Sequence, residues 1–221
     1  CESDPQFPIQ LTAFADIGGP AWIYNWELAT GATPSIPIVQ ATADGLYCVT
    51  LTDANGCTGE DCIQITVYPE PQLILFPVDP VCQNSAPVPL TVVTVPTGGT
   101  GSWSGNINAD GNFVPDIAGV NTVCYDFTDD NGCPAQECMD IVVNPVPGAP
   151  AFNTFVADVC SDQTGITYCV DPVASADGYV WTFPPGVTIT SDPTQDCVTV
   201  DWNGAPAGDV CVTATNACGS R

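Results

Sequence analysis

The 221-residue sequence has no histidine and no lysine, and its single basic residue, Arg221, is the last one. Each absence removes a class of function. Without basic side chains nothing can neutralise phosphates and release their counterions, so nucleic acid is excluded as a partner. Anionic membrane surfaces are excluded on the same ground. Without His or Lys, most general acids, general bases and activated nucleophiles are missing. Carboxylate pairs of the glycosidase kind are the catalytic option left. The 25 Asp and Glu are scattered over turns and strand faces, which reads more simply as solvated surface. The chain is expected not to be an enzyme. There is no Cys-x-x-Cys pair, which together with the missing His argues against zinc. No apolar run is long enough for a membrane-spanning helix. No Gly-rich phosphate loop, EF-hand pattern or Asn-x-Ser/Thr acceptor occurs.

Cysteine, by contrast, is abundant: 13 residues at recurring spacings. That usage predicts disulfides and an oxidising, extracellular location. An N-terminal Cys1 also suits a bacterial lipoprotein, but the spacing gives it another role below. The net charge of −24 favours solubility and opposes self-association unless cations screen it. Hydrophobic residues make up 45% and charged ones 12%, so a core can form.

The chain repeats itself. Residues 48–67 read CVTLTDANGCTGEDCIQITV, and residues 124–143 read CYDFTDDNGCPAQECMDIVV. They align without a gap, and Cys48, Cys57 and Cys62 fall on Cys124, Cys133 and Cys138. A third copy, CVTATNACGSR, begins at Cys211 and reaches Arg221. One further cysteine precedes each block: Cys1, Cys82 and Cys160. The expectation is three units, 1–69, 70–146 and 147–221, joined at Pro69-Glu70-Pro71 and Pro145-Val146-Pro147-Gly148. Such joints are short and stiff and favour an extended array.

Within units the hydrophobic period is two. Leu46–Leu51 and Cys62–Val67 alternate, with Asp53-Ala54-Asn55-Gly56 as a hairpin turn between them and Asp129-Asp130-Asn131-Gly132 repeating it. Further strands are predicted at Ile9–Phe14, Ala21–Trp26, Leu90–Val95, Ile166–Val170, Gly178–Phe183 and Val198–Trp202. The fold class is all-β: three tandem immunoglobulin-like β-sandwich domains, disulfide-rich, the last lacking its final strand. That strand would come from chain beyond Arg221, from a segment without fixed order, or from a neighbouring molecule by strand donation. Trp26, Trp103 and Trp181, one per unit, are predicted to anchor the cores. A sugar platform is the alternative use of the first of them, with Trp22 and Tyr24 on the same strand face.

Strand parity makes a sharper prediction. Tyr47, Val49 and Leu51 take the core face, so Cys48 points outward; Ile63, Ile65 and Val67 do the same for Cys62. The turn then sets Cys48 opposite Cys62, within disulfide reach. Tyr125, Phe127, Met139 and Ile141 give the same result for Cys124–Cys138, and Cys169–Cys197 follows from its flanking core residues. The remaining pairs are Cys1–Cys57, Cys82–Cys133 and Cys160–Cys218, tying each unit's start to its own last turn and leaving Cys211 unpaired. Asp53, Asp110, Asp129 and Asp130 lie in turns and are the calcium candidates; turn chemistry and solubility are the simpler reading of them. No other cofactor is expected.

Tyr24-Asn25-Trp26 with Thr30-Gly31-Ala32-Thr33, followed by Gly45-Leu46-Tyr47-Cys48-Val49-Thr50-Leu51-Thr52-Asp53-Ala54-Asn55-Gly56-Cys57, resembles the PKD-like repeats of large Bacteroidota surface proteins. Gly101-Ser102-Trp103-Ser104-Gly105 with Gly111-Asn112-Phe113 resembles their Ig-like variety, and Cys160 to Gly219 the PKD-like variety again. The resemblance implies a segment of a gliding-motility-type adhesin or filament at the cell surface, exported by the type IX route. It implies further repeats or other copies of itself as partners, and surface glycans as a target. The alternative function is a carbohydrate-binding accessory module of a secreted enzyme. Two departures stand out: the outward cross-strand cysteines are denser than in that family, and no C-terminal sorting domain is present.

Overall fold

The computed structural model describes residues 1, 6–15 and 22–221, and among them there is no helix. In chain order the strands are β1 (Ile9–Thr12), β2 (Ile23–Glu27), β3 (Ile38–Ala41), β4 (Gly45–Thr52), β5 (Thr58–Ile65), β6 (Gln72–Leu75) and β7 (Val81–Cys82). They continue with β8 (Val88–Pro89), β9 (Val92–Val95), β10 (Gly99–Ser104), β11 (Asn112–Phe113), β12 (Gly119–Asp129), β13 (Pro134–Asn144) and β14 (Phe152–Thr154). The last are β15 (Ile166–Val170), β16 (Gly178–Thr182), β17 (Thr188–Ile189), β18 (Cys197–Asp201), β19 (Cys211–Asn216) and β20 (Gly219–Ser220). Two compact units form: Cys1–Leu75 with Thr91–Trp103 and Cys124–Glu137, and Phe76–Leu90 with Ser104–Val123 and Cys138–Arg221.

In the first unit, β1 pairs with β3 and β2-β4-β5 form a second sheet. Alternation along β4 turns Tyr47 and Val49 inward and leaves Cys48 half-buried between them. The interior holds Ala13, Trp26, Val39 and Val49, and beside them Ala41, Tyr47 and Ile65. Trp26 also satisfies its polar edge: Nε1 donates to the Ile36 carbonyl at 2.9 Å. The Tyr47 hydroxyl donates to the Ala43 carbonyl at 2.9 Å, fastening the turn that leads into β4. Ile63, expected in the core, is 48% exposed. It sits opposite Tyr47 on β5, the edge strand of its sheet among the described residues.

Trp103 also departs from expectation, being half-buried rather than enclosed. Its ring lies 5.0 Å from that of Tyr125, tilted by 59°. Gly101 makes this close approach possible, since a Cβ there would come within 2.5 Å of the Tyr125 hydroxyl.

In the second unit, β14-β15-β18-β17 and β16-β19-β20 form the two sheets of a sandwich. Tyr168, Val170, Trp181, Val198, Val200, Trp202 and Ala205 fill it. Trp181 Nε1 donates to the Gln195 carbonyl at 2.9 Å, the same device as at Trp26. Strand β15 coincides with the predicted Ile166–Val170. Strand β20 spans two residues. Gly219 and Ser220 of β20 pair with Asn216 and Thr215, and Arg221 exchanges two 2.9 Å backbone hydrogen bonds with Ala214. Elsewhere in this unit, β7 runs parallel to the end of β13, setting Cys82 beside Asn144.

Candidate functional site: the hairpin tips and their cysteines

The features that repeat most closely are the tips of the long hairpins. At the β4–β5 tip, Asp53 Oδ1 accepts the backbone N–H of Asn55 and of Cys57, each at 2.8 Å. At the β12–β13 tip, Asp129 Oδ1 accepts Asn131 N–H at 2.9 Å and Cys133 N–H at 2.8 Å. The backbone repeats as well: Asp53 N–H donates to the Cys57 carbonyl at 2.9 Å, and Asp129 N–H to that of Cys133 at 3.0 Å. Gly56 and Gly132 both take φ of 83°, the left-handed conformation that closes the turn and that glycine adopts without steric cost. The β19–β20 tip is shorter, and Asn216 Oδ1 there accepts Cys218 N–H at 2.7 Å. A short polar side chain thus presents a cysteine at each of these three tips.

These bonds depress the Asp carboxyls below their ordinary value. For Asp53 the Cys57 N–H contributes most, desolvation opposes it, and Asn55 adds to it. For Asp129 desolvation pushes upward, and the bonds from Cys133 and Asn131 outweigh it. A carboxyl with a lower pKa folded than unfolded stabilises the fold fully above its unfolded pKa, about 3.9. That stabilisation is lost as pH falls through the folded value. The double substitution Asp53→Asn with Asp129→Asn keeps an acceptor oxygen but not the charge. It is expected to flatten the acid limb of stability below about pH 4, read as denaturant midpoint against pH; an unaltered acid limb would contradict this account.

The disulfides connect these tips to distant parts of the sequence. Cys48–Cys62 and Cys169–Cys197 each join residues directly opposite on paired strands, with Cα atoms 4.1 Å apart. Cys124 and Cys138 are disulfide-bonded too. The other expected pairs require correction. Cys1 bonds Cys133, not Cys57, and Cys82 bonds Cys218, not Cys133. Cys160 is left free rather than bonded to Cys218, and Cys57, Cys160 and Cys211 are free and exposed.

The reason is strand length. Cys82 lies at the Asn144 end of β13 and Cys133 just before Pro134 at the other. At about 3.3 Å per residue those ends are roughly 33 Å apart, while a disulfide needs Cα atoms within about 7 Å. The first unit repeats the geometry. Cys1 lines a small cleft with Thr66 and Val67, just past the end of β5, and Cys57 precedes the start of that strand. In both repeats the tip cysteine lies at the opposite end of the strand from the opening cysteine. Cys133 and Cys218 instead bond Cys1 and Cys82, which lie one repeat earlier in the sequence. At the third tip Asn216 Nδ2 also donates to the Pro145 carbonyl at 2.9 Å, in the joint that ends the second repeat.

Among the calcium candidates, Asp53 and Asp129 spend their carboxylates on their own turns. Asp110 N–H donates to Asn108 Oδ1 in a separate turn, and Asp130 is exposed. Among the described residues the single cluster with metal-ligand spacing is Cys48, Glu60 and Cys62, whose sulfurs are already bonded to each other. Of the sugar-stacking candidates, Tyr24 packs on the buried Trp26 cluster. Trp22 is half-buried and lines a cleft with Phe14, Leu51, Asp53 and Cys57.

Comparison with known proteins places the last third of the chain. Residues 146–221 match the family model of a PKD-like domain. The PKD-like segment holds the second unit's sandwich, its Trp181–Gln195 anchor, the Cys169–Cys197 bridge and the third tip. Over the whole chain, a three-Ig structure of titin domains I67–I69 shares 12% identity, covering 93% of this chain and 87% of that one, with a TM-score of 0.44. The N-terminal eight Ig domains of Down syndrome cell adhesion molecule share 14%, covering 96% and 36%, with a TM-score of 0.45. The human desmocollin-1 ectodomain shares 13%, covering 95% and 53%, at 0.38. This chain thus spans about a third of the second and half of the third. No curated protein matches it.

Proposed function

We propose that the chain is a structural repeat segment of an extracellular adhesive surface protein or filament. On this reading the chain carries three repeats, residues 1–69, 70–146 and 147–221, covalently stapled to one another. The observation that carries this reading is the pair of long-range disulfides. Cys1–Cys133 and Cys82–Cys218 each run from the opening cysteine of one repeat to the hairpin tip of the next. A bond in that position resists the separation of neighbouring repeats under tension, which an adhesive stalk must do and a small binding module need not. Ten bonded cysteines support an oxidising, extracellular setting. The absence of His and Lys supports a structural rather than a catalytic role. Export to a bacterial surface by the type IX route, implied by the sequence resemblance, belongs to the same reading.

Antibodies raised against the chain test it. On native source material, immunogold labelling is expected to follow extended surface structures in electron micrographs. Label confined to the cell interior, or to isolated short rods in purified material, would overturn the proposal.

A further inference from the structure

Glycine follows asparagine at Asn55-Gly56, Asn131-Gly132 and Asn203-Gly204. The pair carries a chemistry of its own. The backbone nitrogen of the glycine can attack the side-chain carbonyl carbon of the asparagine, and glycine has no Cβ to crowd that approach. All three asparagines and all three glycines are exposed, so solvent access does not separate the sites. What separates them is how firmly the fold holds the two groups that must meet.

At the two long hairpin tips the hold is light and local. Asn55 Nδ2 lies 3.5 Å from Asp53 Oδ2, and Asn131 Nδ2 lies 3.3 Å from Asp129 Oδ2. Both are long for a hydrogen bond. The N–H groups of Gly56 and Gly132 donate to the carbonyls of Asp53 and Asp129 at 3.1 and 3.0 Å, inside the same turn. One local opening of the turn therefore releases the amide and the nitrogen together. Asn203 is held from several directions. Its Nδ2 donates to Thr188 Oγ1 at 3.1 Å and to the Asp201 carbonyl at 3.3 Å. Gly204 N–H donates at 2.6 Å to the carbonyl of Ser161, which is distant in sequence. The flanking Trp202 and Ala205 are buried, and Ala205 N–H donates to the Trp202 carbonyl at 2.7 Å. Freeing this pair requires opening part of the sandwich rather than one turn.

We propose that Asn55 and Asn131 are sites of spontaneous deamidation and that the fold spares Asn203. The glycine nitrogen gives its proton to hydroxide and bonds to the asparagine Cγ. The Cγ–Nδ2 bond breaks, and ammonia leaves with a proton from water, which closes a succinimide ring. A water molecule then opens the ring. Attack at Cγ yields aspartate, and attack at the backbone carbonyl carbon yields isoaspartate, with the chain rerouted through Cγ. Nothing is oxidised or reduced; each site exchanges an amide for a carboxylate and releases one ammonia. Either product puts a negative charge where an amide donor faced Asp53 or Asp129, so like charge meets like. Isoaspartate also adds a carbon to the main chain inside a turn, and the bonds from Asp53 and Asp129 to the residues ahead depend on that turn's length. At Asn131 the change falls beside the Cys133 end of a long disulfide. The tip loosens there while the covalent link stays intact.

The full chain with its disulfides intact is incubated in mildly alkaline heavy-oxygen water. A parallel sample is kept reduced and in denaturant throughout. Both are then digested with chymotrypsin and mapped by mass spectrometry. In the folded chain, the peptides holding Asn55 and Asn131 are expected to acquire a heavy-oxygen carboxylate as two chromatographically separable isomers. The peptide holding Asn203 is expected to stay unlabelled over the same period. In denaturant all three are expected to react at similar rates, which assigns the sparing of Asn203 to the fold. Asn55→Gln lengthens the side chain past the favoured ring size and is expected to silence its own peptide alone. Asn203 keeping pace with the tips in the folded chain would overturn the proposal. So would tips that react only in denaturant, no labelling in either sample, or label persisting at the substituted position.

Discussion

Replacing Cys1 and Cys133 together by alanine is expected to lower the stability of the first unit by about 5 kcal/mol, as much as chain entropy gives for Cys82–Cys218 and more than for the short bridges. The bond closes 132 residues of chain. Cys48–Cys62 closes 14 and Cys169–Cys197 closes 28, for which the same relation gives about 3 and about 3.6 kcal/mol. The other cross-links barely alter this ranking. The Cys48–Cys62 bridge lies inside the large loop and shortens it by its own length, which changes the logarithm by only about 0.1 kcal/mol. The path through Cys82–Cys218 is longer than the direct one, so it shortens nothing. Hydrogen exchange of backbone amides in β2, β4 and β5 measures the loss locally, because separate units need not unfold together. A loss no larger than that of the Cys48→Ala, Cys62→Ala pair would show that the long staple adds nothing to the folded state beyond its contacts.

That bond was also the feature least legible in the sequence. Cross-strand pairs such as Cys48–Cys62 can be read locally, because side chains alternate with period two and the Asp53–Gly56 turn fixes the register. The staples depend on which end of a sandwich each cysteine occupies, and repeat spacing does not state that. A usable signal was present. The eight residues of β5 and eleven of β13 separate each tip from the end of its own hairpin. Counted at about 3.3 Å each, they place tip and opening cysteines far apart. Edge effects were the second blind spot. Ile63 and Trp103 carry the right periodicity for the core, yet Ile63 lies on an edge strand and Trp103 is only half covered. Periodicity states which face a side chain takes, and burial depends also on what lies over that face.

The three tryptophans turn this distinction into a graded test. Trp26 is 3% exposed and Trp181 8%, and each also donates its indole N–H to a backbone carbonyl. Substituting either by alanine removes a large buried ring, opens a cavity and strands the carbonyl of Ile36 or Gln195. A loss of about 3–5 kcal/mol is expected at each site. Trp103→Ala removes a ring that solvent already reaches on one side. Its main specific contact is the tilted pair with Tyr125, so about 1–2 kcal/mol is expected there. Trp26→Phe is the informative intermediate. It keeps much of the apolar surface and removes only the N–H, so its loss should approach the net worth of one hydrogen bond plus the unpaired Ile36 carbonyl, about 1–3 kcal/mol. Denaturant unfolding of the four variants, followed by circular dichroism so that loss of a fluorophore does not confuse the signal, measures the order directly. If Trp103→Ala proved as damaging as Trp26→Ala, the half-exposed position of that ring would be wrong, and with it the account of why Gly101 must be small.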